Sequence, residues 1–216
     1  MKKKLFLSGD YTHPLFHPLK NVDQEIFRIL GEDFDFALNT EHFESLEDYE
    51  YAEFDCVVLY NDHWIDKSPT VHQQVQSLLH YVAGGGGLVV VHNFEPGVDY
   101  EMAQMLGGAL KKTLVPQNHR HIDYVPAATD HPIMQGVGAF SLEDDLFDIH
   151  HDRLTEKTVL LNAKIEDDVE VPMAWAIEFG LGRVVYIGPG HDITAFTNPE
   201  YGKLLRNAAV WAAGEL

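Results

Sequence analysis

Gly84-Gly85-Gly86-Gly87-Leu88-Val89-Val90-Val91-His92 is the stretch that decides the fold. Four glycines end one element and turn the chain. Leu88 to Val91 is then continuously apolar, with no polar alternation, as in a strand buried on both faces. Such strands belong to parallel sheets covered by helices on both sides. A histidine stands at the strand's carboxyl end. Upstream, Ser68-Pro69 supplies an N-cap and a proline for the first helical position. Val71, Val75, Leu78, Leu79 and Val82 follow at helical spacing, so a helix leads into the glycine run. Before it, Cys56 to Tyr60 is a second buried strand, followed by the polar loop Asn61-Asp62-His63-Trp64.

The pattern continues toward the N-terminus. Leu5 to Ser8 reads as a first strand, with Gly9-Asp10-Tyr11-Thr12-His13-Pro14 as its loop. Leu19, Val22, Ile26, Ile29 and Leu30 predict an amphipathic helix over 19–30, and Phe34 to Leu38 a short strand. A short helix follows around Tyr100 to Leu106. Residues 109–170 are less periodic and predict short antiparallel strands and long loops. Val171 to Ile177 and Arg183 to Ile187 predict a strand pair, and Asn198-Pro199-Glu200 opens a last helix. No linker, repeat or low-complexity tract interrupts residues 1–216, which reads as one α/β domain with a mostly parallel central sheet. Ligands of such sheets bind beyond the carboxyl ends of the strands. Those ends carry Asp10, Asp62-His63, His92 and His191.

Composition narrows the function. Of 216 residues 45% are hydrophobic, enough for a sizeable core, while 34 acidic residues against 15 basic give a formal net charge of -19. That surface repels nucleic acid and anionic lipid, which argues against both as partners. The longest apolar runs have strand length, so no transmembrane helix is expected. Met1-Lys2-Lys3-Lys4 ahead of a short apolar run reads as the entry to a strand rather than a leader. The single cysteine, Cys56, excludes an internal disulfide and points to a reducing, cytoplasmic setting. Tyr49, Tyr51 and Phe54 between acids fit either a homodimer interface or a local core.

His92 and His191, each just after a buried strand, are the first candidates for chemistry. Imidazole exchanges protons near neutrality and also ligates metals. Glu143-Asp144-Asp145, flanked by Phe140, Leu142, Leu146 and Phe147, offers a partly buried carboxylate that could act as base or orient a histidine. Asp10 and His13 are expected in the crevice wall. His13 and His17 have the spacing of two ligands on one helix, but Pro14 and Pro18 argue against that helix. His119-Arg120-His121 is a metal half-site pattern without a third ligand in spacing. The four glycines precede a strand rather than follow one, so no nucleotide site is expected. No Gly-x-Ser-x-Gly elbow is present, and Cys56 opens a buried strand, where a thiol is inert packing.

The glycine run with its strand and histidine, Asp130-His131-Pro132-Ile133, Asp144-Asp145-Leu146-Phe147, Pro172-Met173-Ala174-Trp175, Gly182-Arg183-Val184-Val185-Tyr186, Gly190-His191-Asp192 and Asn198-Pro199-Glu200-Tyr201 resemble, in order and spacing, the ThuA-like (trehalose-utilisation) family. Asp145 and Phe147 stand where the family's segment has glutamate and tyrosine. The resemblance implies a class I glutamine amidotransferase-like fold, a flavodoxin-like three-layer α/β sandwich. It does not imply amidotransferase chemistry, because the nucleophile elbow carries His92-Asn93-Phe94 and no cysteine.

The resemblance implies catabolism of a disaccharide such as trehalose or its 3-keto derivative. A ketone acidifies the neighbouring C–H, so acid-base groups permit isomerisation or elimination. On this reading His92 and His191 exchange protons, Asp145 orients one of them, and Asp10, His13, Asp62, Trp64 and Asp144 contact the sugar. A second reading places a divalent metal such as zinc on His92, His191 and a carboxylate. A third makes the chain a non-catalytic sugar-binding or regulatory protein.

Overall fold

A computed structural model describes residues 2–11, 17–40, 53–60, 71–92, 100–113, 120–166 and 169–215. Five parallel strands form the heart of the sheet. They are β1 (Lys3–Gly9), β2 (Phe34–Asn39), β3 (Cys56–Tyr60), β4 (Gly87–Val91) and, much later in the chain, β11 (Gly182–Ile187). The parallel order is β2-β1-β3-β4-β11. Four antiparallel strands extend it: β10 (Val169–Phe179), β9 (Thr158–Glu166), β6 (Arg120–Pro126) and β7 (Phe140–Asp144). A separate antiparallel pair joins β5 (Gly108–Thr113) to β8 (Phe147–His151).

The side-chain period of two divides the core. Cys56, Val58 and Tyr60 of β3 and Val89 and Val91 of β4 face one side. They pack there against α1 (Val22–Leu30), α4 (Ile193–Thr197) and α5 (Pro199–Ala212). Val57, Leu59, Leu88 and Val90 face the other side, under α2 (Val71–Ala83) and α3 (Tyr100–Leu106). Every residue of β3 and β4 is therefore buried, which is why neither run alternates. Helices on both faces make the three-layer α/β sandwich that the sequence predicts.

Two expectations shift in detail. The helix expected from residue 19 begins at Val22, because Asn21 holds φ 77°, a left-handed conformation that cannot belong to a helix. Leu19 is buried ahead of it, its N–H bonded to the carbonyl of Asp10. The sheet also contains as many antiparallel as parallel pairings. Most of the irregular half thus forms antiparallel strands of the same sheet, beyond its parallel core, while β5 and β8 pair apart from it. The Ser68-Pro69 helix start lies outside the described residues; α2 is described from Val71. Asn198 caps α5 as predicted, its side chain accepting from the N–H groups of Glu200 and Tyr201. Phe54 lies against Phe6 with ring centroids 5.4 Å apart, so it joins a local core; Tyr49 and Tyr51 lie outside the described residues. No helix among the described residues is long and apolar enough to cross a membrane.

Candidate functional site

Ile187 of β11 and Val91 of β4 pair at the carboxyl edge of the parallel sheet. The next residue after Val91, His92, has φ 63°. A residue with a Cβ pays roughly 1–2 kcal/mol for that conformation. Three contacts hold it there. The His92 N–H donates to Ile187 O at 2.7 Å, the Tyr186 hydroxyl donates to His92 O at 3.1 Å, and ring Nδ1 donates to Gly188 O at 2.9 Å. The ring is wholly buried. Because a carbonyl only accepts, the last contact places a proton on Nδ1 and leaves Nε2 of the neutral ring as a lone-pair donor.

The chain leaves β11 through Gly188-Pro189-Gly190, and tyrosines fix its path. The Tyr60 hydroxyl is 3.0 Å from both Gly190 O and His191 O, and the Tyr201 hydroxyl donates to Pro189 O at 3.1 Å. Gly190 has φ 135°, and a Cβ there would stand 2.7 Å from the Tyr201 hydroxyl. Glycine is therefore required on both conformational and steric grounds. This turn aims His191 back toward His92, their ring centroids 5.2 Å apart.

The link between β7 and β8 crosses over these turns and delivers two acids. Asp144 is fully buried. It accepts the backbone N–H groups of Asp145 at 2.8 Å, Gly190 at 2.9 Å and His191 at 3.3 Å. Burial outweighs those donors and pushes its carboxyl up to about 7. Asp145 faces the other way, with Oδ2 3.1 Å from His191 Nδ1. Its Oδ1 is buried with no hydrogen-bond partner among the described residues. Burial opposes charge on His191, but the bond to Asp145 and the charges of Asp145, Asp144 and Asp192 prevail, so its proton affinity is raised.

His17 completes the cluster from the loop after β1. It is 9% exposed, with Nε2 3.2 Å from His92 Nε2 and 3.1 Å from His191 Nδ1. Donor atoms of His17, His92, His191 and Asp145 all lie within 4.8 Å of one another. The Phe147 ring covers His92, centroids 5.0 Å apart. The arrangement can stabilise negative charge developing on a substrate oxygen, exchange protons, or ligate a cation.

The structure brings together His92, His191 and Asp145. Asp144, expected to contact the sugar, is fully buried, with its oxygens accepting from backbone N–H groups. Asp10 lies on the loop that carries His17, while His13, Asp62 and Trp64 lie outside the described residues. His17 was the missed member. Sequence spacing offers it only as a helical partner of His13, whereas its contacts in the structure are to His92 and His191, far away in the chain. His121 is exposed on β6 beside Glu143, and His131 caps the 3-10 turn Pro132–Met134 by accepting from the N–H of Ile133. Cys56 is buried, and burial pushes its thiol well up, leaving it inert.

A mixed sheet with a parallel core flanked by helices, its polar centre at the carboxyl edge of that core and His92 ending β4, defines a flavodoxin-like α/β protein whose single cysteine is buried in β3. The sequence matches the family described as ThuA, trehalose utilisation, over residues 11–212, and the chain belongs to that family. A ThuA-like protein of Parabacteroides merdae shares the fold at TM-score 0.76 and 17% identity, over 99% of this chain and 91% of its own. One from Bacteroides uniformis does so at TM-score 0.75 and 16% identity, over 97% and 91%. A β-galactosidase of Bacillus circulans contains a similar unit, with TM-score 0.61 and 13% identity, over 97% of this chain but 30% of the galactosidase. No curated protein matches the sequence.

Proposed function

We propose that this chain is an enzyme of carbohydrate catabolism that acts on a keto-sugar or keto-glycoside derived from a disaccharide such as trehalose. The observation that carries this reading is the convergence of His17, His92, His191 and Asp145 within 4.8 Å at the sheet's carboxyl edge. Removing a proton beside a ketone moves charge onto the ketone oxygen, so the reaction needs a fixed positive group at that oxygen. The cluster gathers three imidazoles that can carry or hold positive charge at one point. His191, with its raised proton affinity, is one source of it. The strain held at His92 supports a functional centre, since such conformations gather at active sites.

The family description supports a sugar as substrate. The net charge of -19 favours a neutral polyol over a phosphosugar. Two fold neighbours are named as cytoplasmic proteins of Salmonella typhimurium, which supports a cytoplasmic setting for this chain.

The test is product formation from 3-keto-trehalose, with trehalose as control. Turnover of the keto-sugar that falls at least about 100-fold in His191→Gln supports the reading. Saturable binding of the sugar without turnover replaces it with a binding or regulatory role. Equal turnover of wild type and His191→Gln places the chemistry elsewhere.

A further inference from the structure

No placement of protons on the cluster's neutral rings satisfies all of its contacts. Three close approaches run in series: His92 Nε2 to His17 Nε2 at 3.2 Å, His17 Nε2 to His191 Nδ1 at 3.1 Å, and His191 Nδ1 to Asp145 Oδ2 at 3.1 Å. Each ring nitrogen has one in-plane direction, holding either a proton or a lone pair. His92 spends its proton on Gly188 O, so the first contact requires the proton of His17 Nε2. The third requires the proton of His191 Nδ1. The middle contact then sets two N–H groups against each other. Proton placement on neutral rings satisfies two contacts and opposes the third.

We propose that His17, His92, His191 and Asp145 hold a divalent cation of the zinc type, with His17 and His92 ligating through Nε2 and His191 through Nδ1. This rests on the reading of the cluster as the chemical centre and names what supplies its charge. A cation accepts every lone pair at once. Ligands about 2.0–2.1 Å from a tetrahedral zinc stand about 3.3–3.4 Å apart. The three measured separations, 3.2, 3.1 and 3.1 Å, lie close to that edge. Asp145 Oδ1, buried and without a partner among the described residues, is a second and independent sign of a missing positive group. Three imidazoles and one carboxylate suit zinc and its transition-metal neighbours rather than magnesium or calcium.

The surroundings support ligation. A ligating histidine commonly donates its other N–H to a carbonyl or carboxylate, which fixes its tautomer. His92 does so at Gly188 O. Asp144 holds the main chain of Gly190 and His191 from behind, so a carboxylate outside the ligand set positions a ligand. Zinc can expand from four to five ligands, which admits a ketone oxygen while the protein donors stay in place.

The test uses tag-free full-length protein stripped with a chelator and titrated with zinc against a chromophoric competitor. Cobalt titration reports geometry by its visible spectrum. One ion per chain is expected, with tetrahedral-type cobalt bands. Loss of that site is expected in His17→Gln and in Asp145→Asn, with unchanged binding in His121→Gln. These two ligand variants are preferred because wholly buried His92 risks the fold; thermal melts confirm that they fold. Absence of a stoichiometric site in folded wild type overturns the inference. So does wild-type affinity in both ligand variants, or equal loss in His121→Gln, which marks adventitious binding to surface histidines. Turnover of 3-keto-trehalose by fully stripped protein also overturns it while leaving the proposed function standing. One tightly bound ion without any turnover keeps the metal site and removes the proposed function.

Discussion

Asp144 accepts the backbone N–H of His191 at 3.3 Å from a position without solvent contact, and the next residue, Asp145, holds the ring of the same histidine at 3.1 Å. Two adjacent acids thus divide the task of placing one imidazole, one through its main chain and one through its ring. Their variants should separate accordingly. Asp144→Ala leaves buried N–H groups of Asp145, Gly190 and His191 without an acceptor and is expected to destabilise the fold by at least about 2–3 kcal/mol. Denaturant melts measure that loss.

In metal-free protein Asp145→Asn is expected to change stability by less than about 1 kcal/mol, because the amide keeps the shape and an oxygen to accept from His191. Keto-sugar turnover should nevertheless fall by about 100-fold or more. A stability loss matching that of Asp144→Ala would show that both acids are structural.

The metal-free protein should lose stability as pH rises from about 5 to 8. Asp144, pushed up to about 7 by burial, keeps its proton in the native state where the unfolded chain has lost it. More protons bound natively means that stability falls with rising pH, by an upper bound of about 3 kcal/mol across that window. His191 acts in the same direction. Its raised proton affinity gives stability that is full below its unfolded value and lost as pH passes its native one. Thermal melts of stripped wild type and Asp144→Asn across pH check this. The slope should be shallower in the variant.

Gly190→Ala should cost about 1–3 kcal/mol from its positive φ alone. It should also displace His191, since the new Cβ meets the Tyr201 hydroxyl at 2.7 Å. Adding Tyr201→Phe should relieve the steric part only. Turnover and melting temperature of the single and double variants separate the two contributions.

Tyr60→Phe removes the hydroxyl placed 3.0 Å from Gly190 O and from His191 O. The expected cost is about 1–3 kcal/mol, with turnover reduced beyond what the folded fraction explains. Wild-type kcat at full folding would show that the tyrosine acts on the fold alone.

The parallel core was legible because a strand buried on both faces cannot alternate: Cys56–Tyr60 and Gly87–Val91 are wholly buried and continuously apolar. The antiparallel strands were less so. In β6 only Ile122 and Tyr124 are buried, too few to stand out against polar neighbours. His92 and His191 could be found because strand ends in such sheets border a crevice, and Asp145 because Phe140, Leu142, Leu146 and Phe147 mark its acidic segment as partly buried. His17 could not be found by spacing, since the contacts that define it join segments up to 174 residues apart. The role of Asp144 did leave a trace. Phe140, Leu142 and Asp144 share the inward face of β7, so the alternation that buries the first two buries the acid as well.

The centre is assembled from the loop after β1, the end of β4, the β7–β8 link and the turn after β11. No contiguous fragment that stops before β11 contains it, however well its early strands pair. Occupancy of the centre would therefore report that the sheet has assembled as far as β11. By mass action, whatever binds there would stabilise the entire native state rather than one corner of it. In a growing polypeptide the ligand would arrive last, as the seal on a finished sheet.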